Sequence, residues 1–294
     1  MIKNSYEEIK HLIPVELSGV SKDTDLNLEK KEKYYKILKN HILNTTKNIS
    51  LPSDILKNDG CVFLGNLIDA DKAKKQLSAF PVYKGHIKNE MYSDGFPIHN
   101  YWQDDSLNGI YCWSMQDLIQ CDSIVNVATN PLIIDFVSKY LGCLPTCYGI
   151  NCMLSVGTSG HGTTSRHRDL DDFKFVSLFI YLDDVDLANG PHAYETKTHH
   201  GIKNREVGSV LSELDKNPKI LVGRAGDGFL EDNWGIHYGM TLKPGKKRTC
   251  LWIRYGLYDN YTARNSVFLS DQKTDFHKFN FNDDLTEYVF RFLK

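Results

Sequence analysis

Three side chains have the types and the order of a metal site. His167 and Asp169 lie in the run Thr164-Ser165-Arg166-His167-Arg168-Asp169, and His237 follows far downstream in Trp234-Gly235-Ile236-His237. Two imidazoles and one carboxylate in the order His-x-Asp…His make a facial triad, which leaves three positions of an octahedral ferrous ion open to a co-substrate and to oxygen. That pattern points to an oxygenase. In a strand, residues i and i+2 face the same side, so His167 and Asp169 can hold one ion while Arg168 points away. The tripeptide alone carries little weight in a chain with 11 histidines, where a surface histidine beside an acid is the plain alternative. Its context carries more. A Gly/Thr/Ser-rich loop over 157–165 delivers the pair, and an apolar strand over 175–182 follows it. The ligands are thus expected at the mouth of a β structure, where small-molecule sites concentrate.

A carboxylate clamp is the second requirement. Residues 234–242 read as a strand, Lys243-Pro244-Gly245-Lys246 as a turn, and residues 248–255 as the return strand of a hairpin. In that register Arg248 opposes Thr241, on the face of His237 but about 13 Å along the strand at roughly 3.3 Å per residue. A long arginine and a five-carbon diacid chelating the metal together span such a gap, and the guanidinium fork donates two parallel hydrogen bonds to a carboxylate. The plain alternative makes Arg248 a strand-end cation beside Lys246 and Lys247. Arg254, on the same face, is the competing clamp and is expected to be structural.

Other polar residues offer rival or supporting roles. His192, His199 and His200 are alternative imidazoles, as a cupin-like zinc or nickel enzyme with three histidines would need. Asn151 and Ser155, on the strand entering the Gly-rich loop, and His161 within it, are candidates for co-substrate or substrate contacts.

These residues, with several landmarks around them, resemble the phytanoyl-CoA dioxygenase family of iron(II)- and 2-oxoglutarate-dependent oxygenases. Lys57-Asn58-Asp59-Gly60-Cys61-Val62-Phe63-Leu64, followed by a helix, is similar to the family's N-terminal strand. Leu182-Asp183-Asp184-Val185 with Asn189-Gly190-Pro191 resembles its LDD…NGp segment, and Gly226-Asp227 the strand before the distal histidine. The resemblance spans roughly residues 55–260. It departs where Thr196-Lys197-Thr198-His199 replaces the frequent Pro-Gly-Ser-His, and where Gly239 replaces a small hydroxyl residue. The resemblance implies Fe(II) held by His167, Asp169 and His237, 2-oxoglutarate chelating through its keto acid end with Arg248 on its far carboxylate, and O2 as the second co-substrate. The implied outcome is hydroxylation of a C–H bond in a small polar metabolite or a natural-product or sugar precursor, with release of succinate and CO2. Halogenation is disfavoured because a halide would need the place Asp169 fills. A jelly roll without turnover, serving as a binding module, is the alternative from another class.

The elements that must position these residues fit one oxygenase domain across 1–294, with a helical extension over 1–50 and a C-terminal extension over 261–294. At 294 residues, 41% hydrophobic and 24% charged, the chain can bury a large core. Helices are expected over 25–48, 70–79 and 130–142, and short strands beyond Gly142 suggest antiparallel sheets closed into a double-stranded β-helix, a jelly-roll, cupin-like core braced by helices. Residues 82–114, rich in Tyr92, Phe96, Tyr101, Trp102, Tyr111 and Trp113, read equally as a substrate lid or as core. The charged first residues and strand-sized apolar runs lead us to expect a cytoplasmic protein without a membrane helix. A net charge of -2 argues against nucleic acid as a partner, and Lys30-Lys31-Glu32-Lys33 reads as a solvated helix face. The seven cysteines contain no C-x-x-C pair and are expected as reduced, buried thiols rather than a zinc site around Cys143 and Cys147.

Overall fold

The computed structural model describes residues 53–84, 97–104, 106–141, 145–157, 166–169, 175–200 and 218–256. The expected helix over 25–48 and its Lys-rich run, His161 with most of its loop, Cys143, Tyr92, Phe96, and the C-terminal extension lie outside these residues.

Among the described residues five α-helices precede most of the sheet: α1 (Ser53–Asp59), α2 (Ala70–Leu77), α3 (Met115–Leu118), α4 (Asp122–Ala128) and α5 (Pro131–Leu141). Local chemistry sets their starts. Asp69 caps α2 by accepting from the Lys72 amide at 2.9 Å, Ser114 caps α3 through the Asp117 amide, and Pro131 occupies the first turn of α5, where a missing N–H costs nothing.

The described residues hold eleven strands, in chain order β1 (Cys61–Asn66), β2 (Val82–Lys84), β3 (Pro97–Ile98), β4 (Gly109–Cys112), β5 (Thr146–Val156), β6 (Phe175–Tyr181), β7 (His192–Tyr194), β8 (Lys219–Leu221), β9 (Asp227–Asp232), β10 (His237–Gly239) and β11 (Lys247–Gly256). An eight-stranded sheet has the order β1-β9-β6-β11-β5-β4-β2-β3, and a three-stranded sheet has the order β10-β7-β8, with antiparallel pairing throughout. This is the jelly-roll arrangement expected.

Alternation along the strands divides the large sheet's two faces. Leu251, Ile253 and Tyr255 of β11, with Ile150, Cys152 and Leu154 of β5 and Leu178 and Ile180 of β6, join the main core with the helices. The opposite residues, Arg248, Cys250, Trp252 and Arg254 with Phe179, Tyr181 and Met153, face a cavity. Because both faces are covered, every residue of β5 and β6 is buried. Within the described part of 82–114, Tyr101, Tyr111 and Trp113 belong to the core: Trp113 Nε1 donates to the Tyr101 hydroxyl at 3.0 Å, that hydroxyl donates to the Leu77 carbonyl, and Trp102 packs against both rings.

The hairpin reading of residues 234–255 is corrected. The turn itself forms, with Gly245 at φ 74° and the Lys246 amide bonded to the Lys243 carbonyl. Its two arms part, however: β10 pairs with β7 in the small sheet, whereas β11 runs between β5 and β6 in the large one. Arg248 therefore opposes Ser155, not Thr241. The physical reason is that β11 finds far longer partners in β5 and β6 than in the three-residue β10. None of the six described cysteines is in a disulfide, and all are buried.

Candidate metal centre

Two short segments carry the three candidate ligands. His167 and His237 form an antiparallel bridge in which each backbone amide bonds the other's carbonyl, at 3.1 and 3.0 Å, and the Asp169 amide bonds the Asn233 carbonyl at 3.0 Å. Direct pairing puts the two imidazoles side by side, with ring centroids 4.4 Å apart, and two-residue spacing adds Asp169 on the same face. The three ligand atoms lie within 4.8 Å of one another; His167 Nε2 is 3.6 Å from Asp169 Oδ1, and His237 Nε2 is 3.6 Å from Asp169 Oδ2. Neighbouring ligands of an octahedral ion with bonds of roughly 2.1 Å stand about 3 Å apart, so only small adjustments separate this set from coordination. Among the described residues no other His/Cys/Asp/Glu group meets this spacing. His237 Nδ1 donates to the Gly235 carbonyl at 3.0 Å, which leaves Nε2 as the free ligand nitrogen.

A buried polar layer supports the ligands. Arg254 Nη2 donates to Asp169 Oδ2 at 2.8 Å and Asn233 Nδ2 to the same oxygen at 3.2 Å. Glu231, 0% exposed, accepts from His192 Nε2 at 2.7 Å and from Asn233 Nδ2 at 3.4 Å, and its Oε1 lies 3.9 Å from His237 Nδ1. Burial alone would raise the Asp169 pKa, but the Arg254 guanidinium and then the two histidines hold it well below the usual carboxylate range. Burial would likewise lower that of His237, yet the Glu231 and Asp169 carboxylates outweigh it and lift it to about 9. Glu231 and Asn233 escaped the sequence reading, because only the pairing of β9 with β6 shows that Glu231 faces inward and only the bonds to Asp169 bring Asn233, just past β9, to the centre.

Arg248 lines the same cavity, of about 130 Å³, as His167, Asp169 and His237. It is 8% exposed, its Nη1 donates to the Gly190 carbonyl, and its Nε has no partner. No carboxylate among the described residues pairs with it. The Asn-Gly-Pro turn presents that carbonyl: Gly190 sits at φ 65°, and a Cβ there would strike the Met240 carbonyl. Asn151 and Ser155 share the cavity's face of β5 but stop short of its wall, and the Asn151 Oδ1 is buried without a partner.

The rival histidines are otherwise engaged. His192 lines the cavity, but its Nε2 is tied to Glu231. His199 and His200 stack on each other at 3.8 Å and donate to the Lys57 and Asn58 carbonyls.

Gly235 is required by the approach of Tyr194, whose hydroxyl donates to the Asp232 carbonyl at 2.8 Å and occupies the space a Cβ would need. Gly235→Ala must displace that ring or the turn carrying His237. Overpacking and a strained hydrogen bond together are expected to lower stability by about 1–3 kcal/mol. A fall in the urea midpoint at unchanged slope checks this.

No protein-family profile matches the chain, and no curated protein matches it. Among solved structures, HygX from Streptomyces hygroscopicus with nickel and 2-oxoglutarate bound is similar at 13% identity and a TM-score of 0.52, over 74% of this chain and 91% of that one. The epimerase SnoN, in complex with Fe3+, alpha ketoglutarate and nogalamycin RO, gives 15% identity and 0.49 over 69% and 81%. AviO1 from Streptomyces viridochromogenes gives 14% and 0.47 over 72% and 98%. At such identities the likeness to HygX establishes a shared fold.

Proposed function

We propose that this chain is an Fe(II)- and 2-oxoglutarate-dependent oxygenase, related to the phytanoyl-CoA dioxygenase family, that hydroxylates a C–H bond of a small polar metabolite or of a natural-product or sugar precursor. One observation carries the reading: the convergent His167, Asp169 and His237 share a small cavity with a buried guanidinium, Arg248, that pairs with no carboxylate among the described residues. The donor set fits ferrous iron, since two imidazoles and one carboxylate on one face leave the opposite face of an octahedron open. When bound, iron would supply oxygen activation coupled to oxidative decarboxylation of the keto acid.

The chain's own residues do the positioning. His237 presents Nε2 because its Nδ1–H donates to the Gly235 carbonyl, and Asp169 is aimed by Arg254 and Asn233. Arg248 offers its unpaired Nε in a fixed fork to the far carboxylate of a diacid. Phe179, Tyr181, Met153 and Trp252 enclose the cavity and restrict water there. Asn151 and Ser155 fit a supporting role from the cavity's edge.

Anaerobic addition of 2-oxoglutarate to the ferrous protein should produce a weak visible charge-transfer band, and succinate should form when a metabolite pool contains the substrate. A cupin-type enzyme or a silent binding module would show neither band nor co-substrate affinity, and that result would overturn the reading.

A further inference from the structure

The tetrapeptide Arg166-His167-Arg168-Asp169 alternates in direction, and its outward half is as firmly held as its inward half. Arg166 makes a fork-to-fork pair with Glu195, Nε to Oε1 at 2.5 Å and Nη2 to Oε2 at 2.6 Å. The side chains are 9% and 3% exposed. Arg168 Nη1 donates to the carbonyls of both Thr198 and Trp234. The two guanidiniums thus reach from the segment bearing His167 and Asp169 to the turn after β7 and to the turn before His237.

That turn is itself tied to the distal histidine. The Glu195 amide bonds the Ile236 carbonyl at 2.9 Å, and the Thr198 hydroxyl accepts from the Ile236 amide at 2.8 Å while donating to the Glu195 carbonyl at 2.6 Å. It is also fastened to the end of α1, where the Lys197 amide bonds the Asp59 carbonyl. An unbroken set of bonds therefore runs from Arg166 through Glu195 and Ile236 to His237.

We infer that the Arg166–Glu195 pair, seconded by Arg168, is the positioning device of the metal centre, setting the register between the segment that carries two ligands and the one that carries the third. This rests on the metal-centre reading above and extends it to residues that touch no ligand. A buried ion pair is a weak source of stability, since well-packed apolar residues often replace one at no loss. What a bidentate pair supplies is direction: apolar contact is indifferent to small slides, whereas two parallel hydrogen bonds are not. A centre built from two segments needs that direction, because its ligands must hold their geometry to within about 0.5 Å.

The test compares the unmodified full chain with Arg166→Lys, Glu195→Gln and the double variant Arg166→Met/Glu195→Leu, measuring urea unfolding of the metal-free proteins and Co(II) binding by calorimetry and visible absorption. Arg166→Lys and Glu195→Gln should remain folded, bind Co(II) at least about tenfold more weakly and show an altered ligand-field spectrum. The apolar double variant should keep the unmodified unfolding midpoint and still bind weakly. Folded variants that bind within twofold of the unmodified chain with the same spectrum overturn the inference, as does a loss of folding in all three, which would make the pair a stability element. If the unmodified chain binds no divalent ion, the metal-centre reading fails and takes this one with it. If His167→Ala abolishes binding while the pair variants do not, the device alone is refuted.

Discussion

Alanine at His167, Asp169 or His237 is expected to abolish tight ferrous binding and all turnover. Each would contribute one of the three proposed protein ligands, and no fourth candidate stands within reach among the described residues. Removing even an outer-layer partner of a metal ligand typically costs about 10–100-fold in affinity, so loss of a ligand itself should exceed that. His237→Ala should be the most severe, because it also empties a buried position between Glu231 and Asp169. Asp169→Asn keeps the shape but loses the charge that Arg254 balances, and it should bind iron poorly while remaining folded. Anaerobic iron titration with a succinate assay decides the matter, and a His167→Ala/His237→Ala protein that still binds iron and turns over would remove the assignment.

Arg248→Ala should weaken 2-oxoglutarate binding by roughly ten- to a few hundredfold, because a charge-assisted bidentate contact is worth about 1.5–3 kcal/mol. Iron affinity should barely change, since Arg248 touches none of the ligands and bonds only the Gly190 carbonyl among the described residues. Arg248→Lys should recover part of the loss, a point charge being unable to reproduce the fork. Arg254→Ala should show the opposite pattern, with iron affinity falling as Asp169 loses its 2.8 Å partner. Calorimetry of each ligand against each variant separates the two arginines. A large co-substrate defect confined to Arg254→Ala would reverse their roles.

Much of the site was legible because it is local. His167 and Asp169 share a face by strand alternation, and Arg168 points away as the same rule requires. Apolar runs such as residues 175–182 and the helices expected over 70–79 and 130–142 likewise depend on near neighbours, as the Asp69 cap and the first-turn Pro131 show. What failed was long-range. The turn at Pro244-Gly245 is a correct local reading, but a turn does not oblige its arms to pair, and β11 joined β5 and β6 instead. Arg254, read as a rival clamp and expected to be structural, does hold structure: β11 carries it to Asp169, a partner that sequence order did not show. Glu231, Asn233 and the Arg166–Glu195 pair were invisible for the same reason: their partners lie far along the chain, and polar residues in strands ordinarily read as solvent-facing. In the aromatic segment over 82–114, balanced between lid and core by composition, Tyr101 and Trp113 are core and satisfy their polar atoms on Leu77.

The buried charges around the centre have a thermodynamic consequence. Two buried carboxylates, Asp169 and Glu231, and two guanidiniums, Arg254 and Arg248, surround the centre and their formal charges cancel, so that His237, its pKa raised to about 9, carries one positive charge until a metal takes its nitrogen. A divalent cation alone, displacing that proton, would leave a net charge of about +2 and a dicarboxylate alone about -1, each costly in a poorly hydrated space, whereas the two together restore neutrality. Cation and dianion are therefore linked ligands, each tightening the other by the same factor, as reciprocity requires. Electroneutrality thus favours filling the pocket with both partners over holding either one alone.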